Sequence, residues 1–212
     1  MQNRRGPTTR CPLIAGTLLV ILGLVTAAGA VVSLQTSYTT VTVGGAMEPT
    51  FGEGDRIPIE MVGGAAVRRG DVVLYEVSNR YEGLPVLQRV IGLGGDHLVF
   101  ADGSLTVNGR PAEEPYVKRA EDGLSTPAFD VTVPPGRMFL LGDNRGNSND
   151  SRYFLSEDSG TVPTSAVRGR PLASGTIPAL LGLAAVLGVV CGVGGICALA
   201  DRRTARGLSA WV

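Results

Sequence analysis

The sequence is poor in the side chains that most often carry catalytic or metal-binding chemistry. Its 212 residues include one histidine, His97, one lysine, Lys118, and three cysteines. The cysteines lie in or beside two long apolar runs, so the segment between the runs has no disulfide and must fold around its own core. The formal net charge is zero, whereas nucleic-acid-binding chains usually have a basic excess. We therefore expect no nucleic-acid partner, and we predict no metal and no cofactor.

Two uncharged runs, residues 12–34 and 177–200, are each long enough to cross a bilayer core of about 30 Å as a helix. Basic residues flank the outer end of each run: Arg4, Arg5, Arg10, Arg202, Arg203 and Arg206. Positively charged flanks tend to stay in the cytoplasm. We therefore predict a multi-pass protein of the cytoplasmic membrane, with cytoplasmic ends at 1–11 and 201–212 and an extracytoplasmic domain at 36–172.

Each apolar run also has another interpretation. Ala28-Gly29-Ala30 has the small-x-small form of a secretory cleavage site, so the first run could be a removable signal peptide. That run is longer than the usual apolar region of a signal peptide, which favours an uncleaved anchor. The second run could be a buried helix of a soluble protein, but it has no polar face, which favours a membrane span.

Short apolar segments between the two runs predict strands, and no stretch there has sustained helical periodicity. These segments lie at 72–75, 86–91, 98–100, 105–107, 129–133 and 138–141. Turn-forming pairs separate them, and Asp102-Gly103 and Asn108-Gly109 are typical of tight hairpins. The predicted fold class is mainly β, with an antiparallel sandwich or barrel-like domain between two transmembrane helices.

Four stretches within this domain suggest chemistry rather than structure alone. They are GGAMEPTFGEGD at 44–55, RRGDVVLYE at 68–76, LQRVIGLGGD at 87–96 and LGDNRGNSNDSRY at 141–153. Gly-Asp pairs are ordinary turn formers, so the first three stretches could be turns. The last crowds polar side chains directly after an apolar strand. A solvated loop could account for it, but a hydrogen-bonded scaffold around a site accounts for it better.

In order and wording these stretches resemble the bacterial type I signal peptidase family, over about residues 43–170. Members are membrane-anchored serine endopeptidases that remove signal peptides from exported preproteins on the outer face of the cytoplasmic membrane. The resemblance implies a signal-peptidase-like antiparallel β domain. It also implies a nucleophilic serine before Met47 and a general-base lysine before Arg89, but this chain has Ala46 and Gln88 at those positions.

The two substitutions remove both reacting groups of the implied serine–lysine pair. A buried lysine of lowered pKa takes the serine proton, and alanine has no oxygen while a glutamine amide has no useful basicity. Neither His97, which a turn separates from position 88, nor the hydroxyls of Thr42 and Thr50 match the missing positions. We therefore predict that catalysis is impaired, and whether the chain is an enzyme at all stays open.

The resemblance also implies a supporting set of residues around the site. Ser148 would hydrogen-bond the base, Asp150 and Arg152 would form a salt-bridged brace, and Met47 and Pro49 would shape a substrate-facing wall. The other implied positions are Gly44, where some relatives have an oxyanion-donating serine, and Arg89, Asp143 and Arg145. The cleft itself could still accept an extended peptide on a strand edge.

Three hypotheses follow for the function of the chain. It could be an active signal peptidase altered at position 46 to trap a substrate, which leaves Gln88 unexplained. It could be a natural noncatalytic relative, a pseudoenzyme that binds signal peptides or an active signal peptidase. It could also be a membrane-tethered β domain with a structural or interaction role. The predicted partners are signal peptides of exported preproteins, membrane lipid and possibly an active signal peptidase.

Overall fold

The structure is a computed structural model that describes residues 11–62, 67–118, 127–172 and 176–208. The chain divides into two compact units. One combines Met1–Thr36 with Ser174–Val212, and the other is Ser37–Ala173. Residues 1–10 of the predicted cytoplasmic end at 1–11, and residues 209–212 of the predicted end at 201–212, lie outside the described residues. The topology stays a prediction.

The first unit contains two long apolar helices, α1 at Cys11–Ser37 and α2 at Thr176–Leu208. Their segments Ile14–Ser37 and Thr176–Cys197 are long and apolar enough to cross a membrane. Both helices extend past the ends of the uncharged runs, because backbone hydrogen bonding can continue where the apolar sequence stops. The two predicted spans therefore fold as helices.

The second unit contains eleven described strands. They are β1 Tyr38–Thr42, β2 Arg56–Met61, β3 Val72–Tyr75, β4 Val86–Leu93, β5 His97–Ala101, β6 Ser104–Val107, β7 Arg110–Pro111, β8 Phe129–Thr132, β9 Arg137–Leu141, β10 Val162–Pro163 and β11 Val167–Pro171. The prediction of a mainly β, antiparallel domain is confirmed, because the strand pairs of both sheets are antiparallel.

The strands form two sheets. The larger has the order β1-β2-β11-β3-β4-β9-β10, and the smaller has the order β7-β6-β5-β8. In the smaller sheet the predicted hairpins occur at Asp102-Gly103 and Asn108-Gly109, where all four residues have positive φ. Consecutive residues of positive φ match the right-handed twist of the paired strands, which is why such pairs favour tight hairpins.

A cluster of buried apolar side chains joins the two sheets. It includes Ile91 from β4 and Phe139 from β9, together with Leu98, Leu105 and Phe129 from the smaller sheet. A second cluster surrounds Tyr75, and a third surrounds Met47. The domain thus has a core of its own without a disulfide, and the third cluster supports the loop that carries position 46.

Candidate functional site

Ala46 lies in a single 3-10 turn, Gly45–Met47, that follows β1. The turn is fixed from both sides. On one side Met47 is fully buried in its apolar cluster. On the other, Asn144 donates from its backbone to the Ala46 carbonyl at 3.0 Å and from Nδ2 to the Gly45 carbonyl at 3.0 Å. The half-buried Ala46 methyl group is therefore held in one place, at the position where the resemblance implies a nucleophile.

Gln88 lies on β4 and is 1% exposed. Its amide makes a hydrogen bond at each end. Oε1 accepts from the Tyr75 hydroxyl at 2.7 Å, and Nε2 donates to the Asn149 carbonyl at 2.8 Å. Because the lone pair of an amide nitrogen is delocalised into the carbonyl, Gln88 cannot take a proton from a neighbouring group at neutral pH.

Two phenols complete the polar cluster around Gln88, and neither can replace the missing base. The Tyr75 hydroxyl lies 3.2 Å from the Tyr81 hydroxyl, and Tyr81 donates to the Asn149 carbonyl at 3.0 Å. Burial raises the pKa of Tyr75 well above its ordinary value, and burial also raises the pKa of Tyr81. Both phenols therefore stay protonated at neutral pH, and the cluster carries no charge.

Ser148 precedes Asn149 in the chain and lies close to the backbone of Ala46. A Cβ built on Gly142 would be 2.7 Å from the Ala46 carbonyl oxygen and would collide with the Ser148 hydroxyl, so these groups crowd around one point. The Ser148 Oγ is buried and has no hydrogen-bond partner among the described residues. The residue expected to bind the base amine thus has a hydroxyl that no described side chain engages.

A buried ion pair lies under the polar loop, which we define as residues 142–152. Arg152 donates to Asp150 through Nε and Nη2, both at 2.7 Å, and the two side chains are 1% and 0% exposed. Asp150 also accepts from the Gly142 backbone at 3.1 Å, and Arg152 donates to the Arg145 carbonyl at 3.1 Å. This bidentate pair therefore connects the loop's two ends and stabilises its conformation.

A second bidentate pair joins β4 to the loop. Arg89 donates to Asp143 at 2.8 and 2.6 Å, and Thr50 donates to the same carboxylate at 2.5 Å. Burial acts to lower the pKa of Arg89, but the hydrogen bonds and charge of Asp143 outweigh it and raise that pKa. The guanidinium also stacks 3.9 Å above the Tyr116 ring. The Thr50 hydroxyl is therefore part of this ion-pair network.

Two further ion pairs hold the segment before residue 118 against the site. Arg145 pairs with Glu114 at 2.5 Å, and Lys118 pairs with Glu48 at 2.9 Å. The hydrogen bond and charge of Lys118 lower the pKa of Glu48. His97, in contrast, lies on the smaller sheet with its Nε2 2.6 Å from Asp130. The single lysine is therefore near the position-46 loop, but its amine is engaged by a carboxylate.

A small groove opens next to Ala46. It has a volume of about 140 Å³ and lies between residues 41–47, which include Gly44, and residues 85–87. Within the described residues β1 is an outer strand of its sheet, and β9 pairs with β4 only from Arg89 onward. Both walls of the groove therefore have strand edges without a paired neighbour. Met47 lines the groove, whereas Pro49 is exposed and is not among its lining residues.

The structure brings most of the candidate residues together around one loop. Ala46, Gln88, Arg89, Asp143, Arg145, Ser148, Asp150 and Arg152 all belong to the network described above. The sequence interpretation missed Tyr75, Tyr81 and Asn149, which surround Gln88, and Glu114, which pairs with Arg145. Tyr75 had a usable signal, because it lies on a predicted strand beside the strand of Gln88.

The sequence was compared with protein families and with known proteins. Residues 14–174 match the family model for signal peptidase, peptidase S26. Signal peptidase I U of Bacillus subtilis (strain 168) is 32% identical over 153 residues, which cover 66% of this chain and 80% of that protein. Signal peptidase I of Bacillus caldolyticus is 35% identical over 127 residues, covering 54% of this chain and 68% of that protein.

Among solved structures, the chain is similar to a signal peptidase I from Enterococcus faecalis V583. The two are 30% identical, and the match covers 50% of this chain and 97% of that one with a TM-score of 0.43.

Proposed function

We propose a function from one premise, which is that this chain belongs to the signal peptidase family, peptidase S26. Members of this family are membrane-anchored and remove signal peptides from preproteins. Our proposal is that this chain binds a signal peptide in its groove and does not cut it. The observation that carries the proposal is the neutral, doubly hydrogen-bonded Gln88 amide on β4, in a site where position 46 has only a methyl group.

The chemistry of the site supports the loss of the reaction. Cleavage by this family's implied mechanism needs an oxygen at position 46 and a proton acceptor at position 88, and both are absent. Removing the serine of an unrelated serine protease lowers kcat by about a million-fold. Neither the Thr50 hydroxyl, which belongs to the Arg89–Asp143 network, nor the Ser148 hydroxyl, which has no described hydrogen-bond partner and therefore no base beside it, reproduces that pair.

The groove supports retained binding. An extended peptide can add to a strand edge through main-chain hydrogen bonds, with alternate side chains entering small pockets. The two unpaired edges on either side of Ala46 offer those bonds, and the apolar side chains of Val43, Met47 and Leu87 suit small residues. The ion pairs of Arg89 and Arg152 keep this region ordered without the catalytic pair.

The same proposal includes the placement of the chain. Both apolar helices cross the cytoplasmic membrane, residues 36–172 lie outside, and the ends at 1–11 and 201–212 lie in the cytoplasm. The arginines at both ends support this topology through the preference of positive flanks for the cytoplasm. A domain tethered at two points would stay near membrane-bound preproteins, which raises their effective concentration at the groove.

Binding is tested by photocrosslinking. The full-length chain in lipid nanodiscs is mixed with a synthetic signal peptide that carries a photoreactive residue near its small-x-small motif. We expect crosslinks to the groove with the peptide intact. Ala46→Phe, which fills the groove, should abolish them, whereas Ala101→Phe, at an exposed position of β5, should not. Equal crosslinking of both variants would contradict binding in the groove.

Loss of the reaction is tested by restoring both groups. The Ala46→Ser/Gln88→Lys double variant and the unmodified chain are incubated separately with a preprotein. We expect processing only by the double variant. The groups have to be restored together, because a serine at position 46 has no base without the second change, and a lysine at position 88 has no nucleophile without the first. If crosslinking succeeds and the double variant stays inactive, peptide binding stands and the assignment of positions 46 and 88 fails.

A further inference from the structure

The two apolar helices pack through glycine, backbone against backbone. A Cβ on Gly188 would lie 2.7 Å from the Gly23 carbonyl oxygen and 2.8 Å from the Ala27 nitrogen. A Cβ on Gly195 would lie 2.8 Å from a Val20 methyl group. Gly188 faces residues 23 and 27 of α1, whereas Gly195, further along α2, faces residues 16 and 20, which come earlier on α1. The two helices therefore run antiparallel. Only residues without bulk at these points allow so close an approach.

The small-x-small motif of α1 lies on this packed face. Gly16, Gly23 and Ala30 are the fully buried residues of the described part of α1, and they recur at intervals of seven residues. That interval keeps residues on one stripe of a helix packed against another helix. Ala30 is 6% exposed, while the next residues, Val31 and Val32, are 44% and 58% exposed. The motif's last alanine is therefore buried, and it lies on the same stripe as Gly23, which packs against α2.

The motif is also in the wrong conformation for cleavage. Signal peptidases act on signal peptides, and a peptide that adds to a strand edge must be extended. Residues 28–30 are inside a single helix that continues to Ser37. An enzyme would have to separate α1 from α2 and unwind the end of α1 before Ala30 could enter a small pocket.

We propose that Ala30–Val31 is a latent signal-peptidase cleavage site, and that packing of α2 on α1 masks it. The second helix thereby preserves the first anchor, which would otherwise be removed by an active signal peptidase in the same membrane. Cleavage there would be hydrolysis of one peptide bond by water, leaving a carboxylate on Ala30 and an amine on Val31. This inference rests on the proposed placement of both helices across the membrane.

The test is the N-terminus of the full-length chain made in a bacterium with its own active signal peptidase. The unmodified chain should keep its first thirty residues, and Gly188→Leu should yield a chain that begins at Val31. Gly194→Leu is the matched control, because a Cβ at Gly194 meets nothing within 4 Å and the helix pair should stay closed. Adding Ala30→Leu to Gly188→Leu should restore the longer chain, because the small residue before the cut is lost.

If Gly188→Leu alone leaves the helix pair closed, a variant with three leucines still tests the inference. Gly23→Leu/Gly188→Leu/Gly195→Leu places three side chains against the opposite helix, so its chain should also begin at Val31. An intact N-terminus in this variant overturns the proposal, and so does an unmodified chain that already begins at Val31.

Ser104→Cys, at an exposed position of β6, reports topology separately through labelling by a membrane-impermeant maleimide on whole cells. Absence of labelling there overturns the membrane placement and the masking together, whereas labelling with an intact triple variant overturns the masking alone.

Discussion

Ser148→Ala tests whether the polar loop keeps a hydroxyl that no described group engages. The Ser148 Oγ is buried without a described partner, and an unsatisfied buried polar group costs about 1–3 kcal/mol. Removing it should therefore raise the free energy of unfolding by about 1 kcal/mol, since the alanine methyl keeps most of the packing. For a chain of this size that corresponds to a rise of about 2–4 °C in the midpoint of thermal unfolding.

Ser151 is the matched control three residues along the same loop. It is also buried, but its Oγ accepts a hydrogen bond from the Leu140 backbone at 3.0 Å. Ser151→Ala should therefore lower the free energy of unfolding by about 1–3 kcal/mol, because it leaves a buried N–H unpaired. Circular dichroism of the full-length chain in detergent measures both midpoints. If Ser148→Ala lowers the midpoint as much as Ser151→Ala, the hydroxyl has a partner and the reasoning is refuted.

Three further predictions concern charged and polar groups of the β domain. Arg89→Leu should lower the free energy of unfolding by about 3–5 kcal/mol, because it leaves the buried Asp143 carboxylate without its ion-pair partner. The double variant Arg89→Leu/Asp143→Leu should regain most of that loss, and urea titrations measure both. Gln88→Leu should lower the free energy of unfolding by about 1 kcal/mol, because the Tyr75 hydroxyl loses its 2.7 Å acceptor and keeps only the Tyr81 hydroxyl at 3.2 Å. An unchanged urea midpoint would contradict the hydrogen-bonded cluster. Burial acts to raise the pKa of Asp96, but its hydrogen bonds and the charge of Arg69 outweigh burial and lower that pKa. The ionised Asp96 therefore stabilises the fold above about pH 4, and this stabilisation is lost as the pH falls. Asp96→Asn should weaken the acid dependence of the unfolding midpoint, and an identical pH profile would contradict this.

The local elements could be predicted because their signals are local. The segment 72–75 is apolar and ends at turn-forming residues, and β3 has those same bounds. The strands β1, β2 and β11 were missed because β1 directly follows α1, β2 contains a proline and β11 is rich in arginine and glycine. Their stability comes from neighbours distant in sequence, since β11 inserts between β2 and β3.

The environment of Gln88 depends on register, which the sequence alone did not provide. Val73 pairs with Gln88, so Tyr75, two residues on, lies diagonally across the same sheet face. A one-residue slip would have turned Tyr75 to the opposite face. The loop residues could be identified from the family resemblance, but the hydrogen bonds at both ends of the Gln88 amide and the unengaged Ser148 hydroxyl required the structure.

The most direct test of the central claim is a cleavage assay with the unmodified, full-length chain. The purified chain in detergent is incubated with a preprotein, and the mature product is followed by mass spectrometry. Ala46→Phe, purified in the same way, controls for a contaminating peptidase because its own groove is filled. We predict that neither sample yields mature product. Product from the unmodified chain that is absent with Ala46→Phe would contradict the account, because cleavage would then proceed in this groove without an alcohol at position 46 or an amine at position 88.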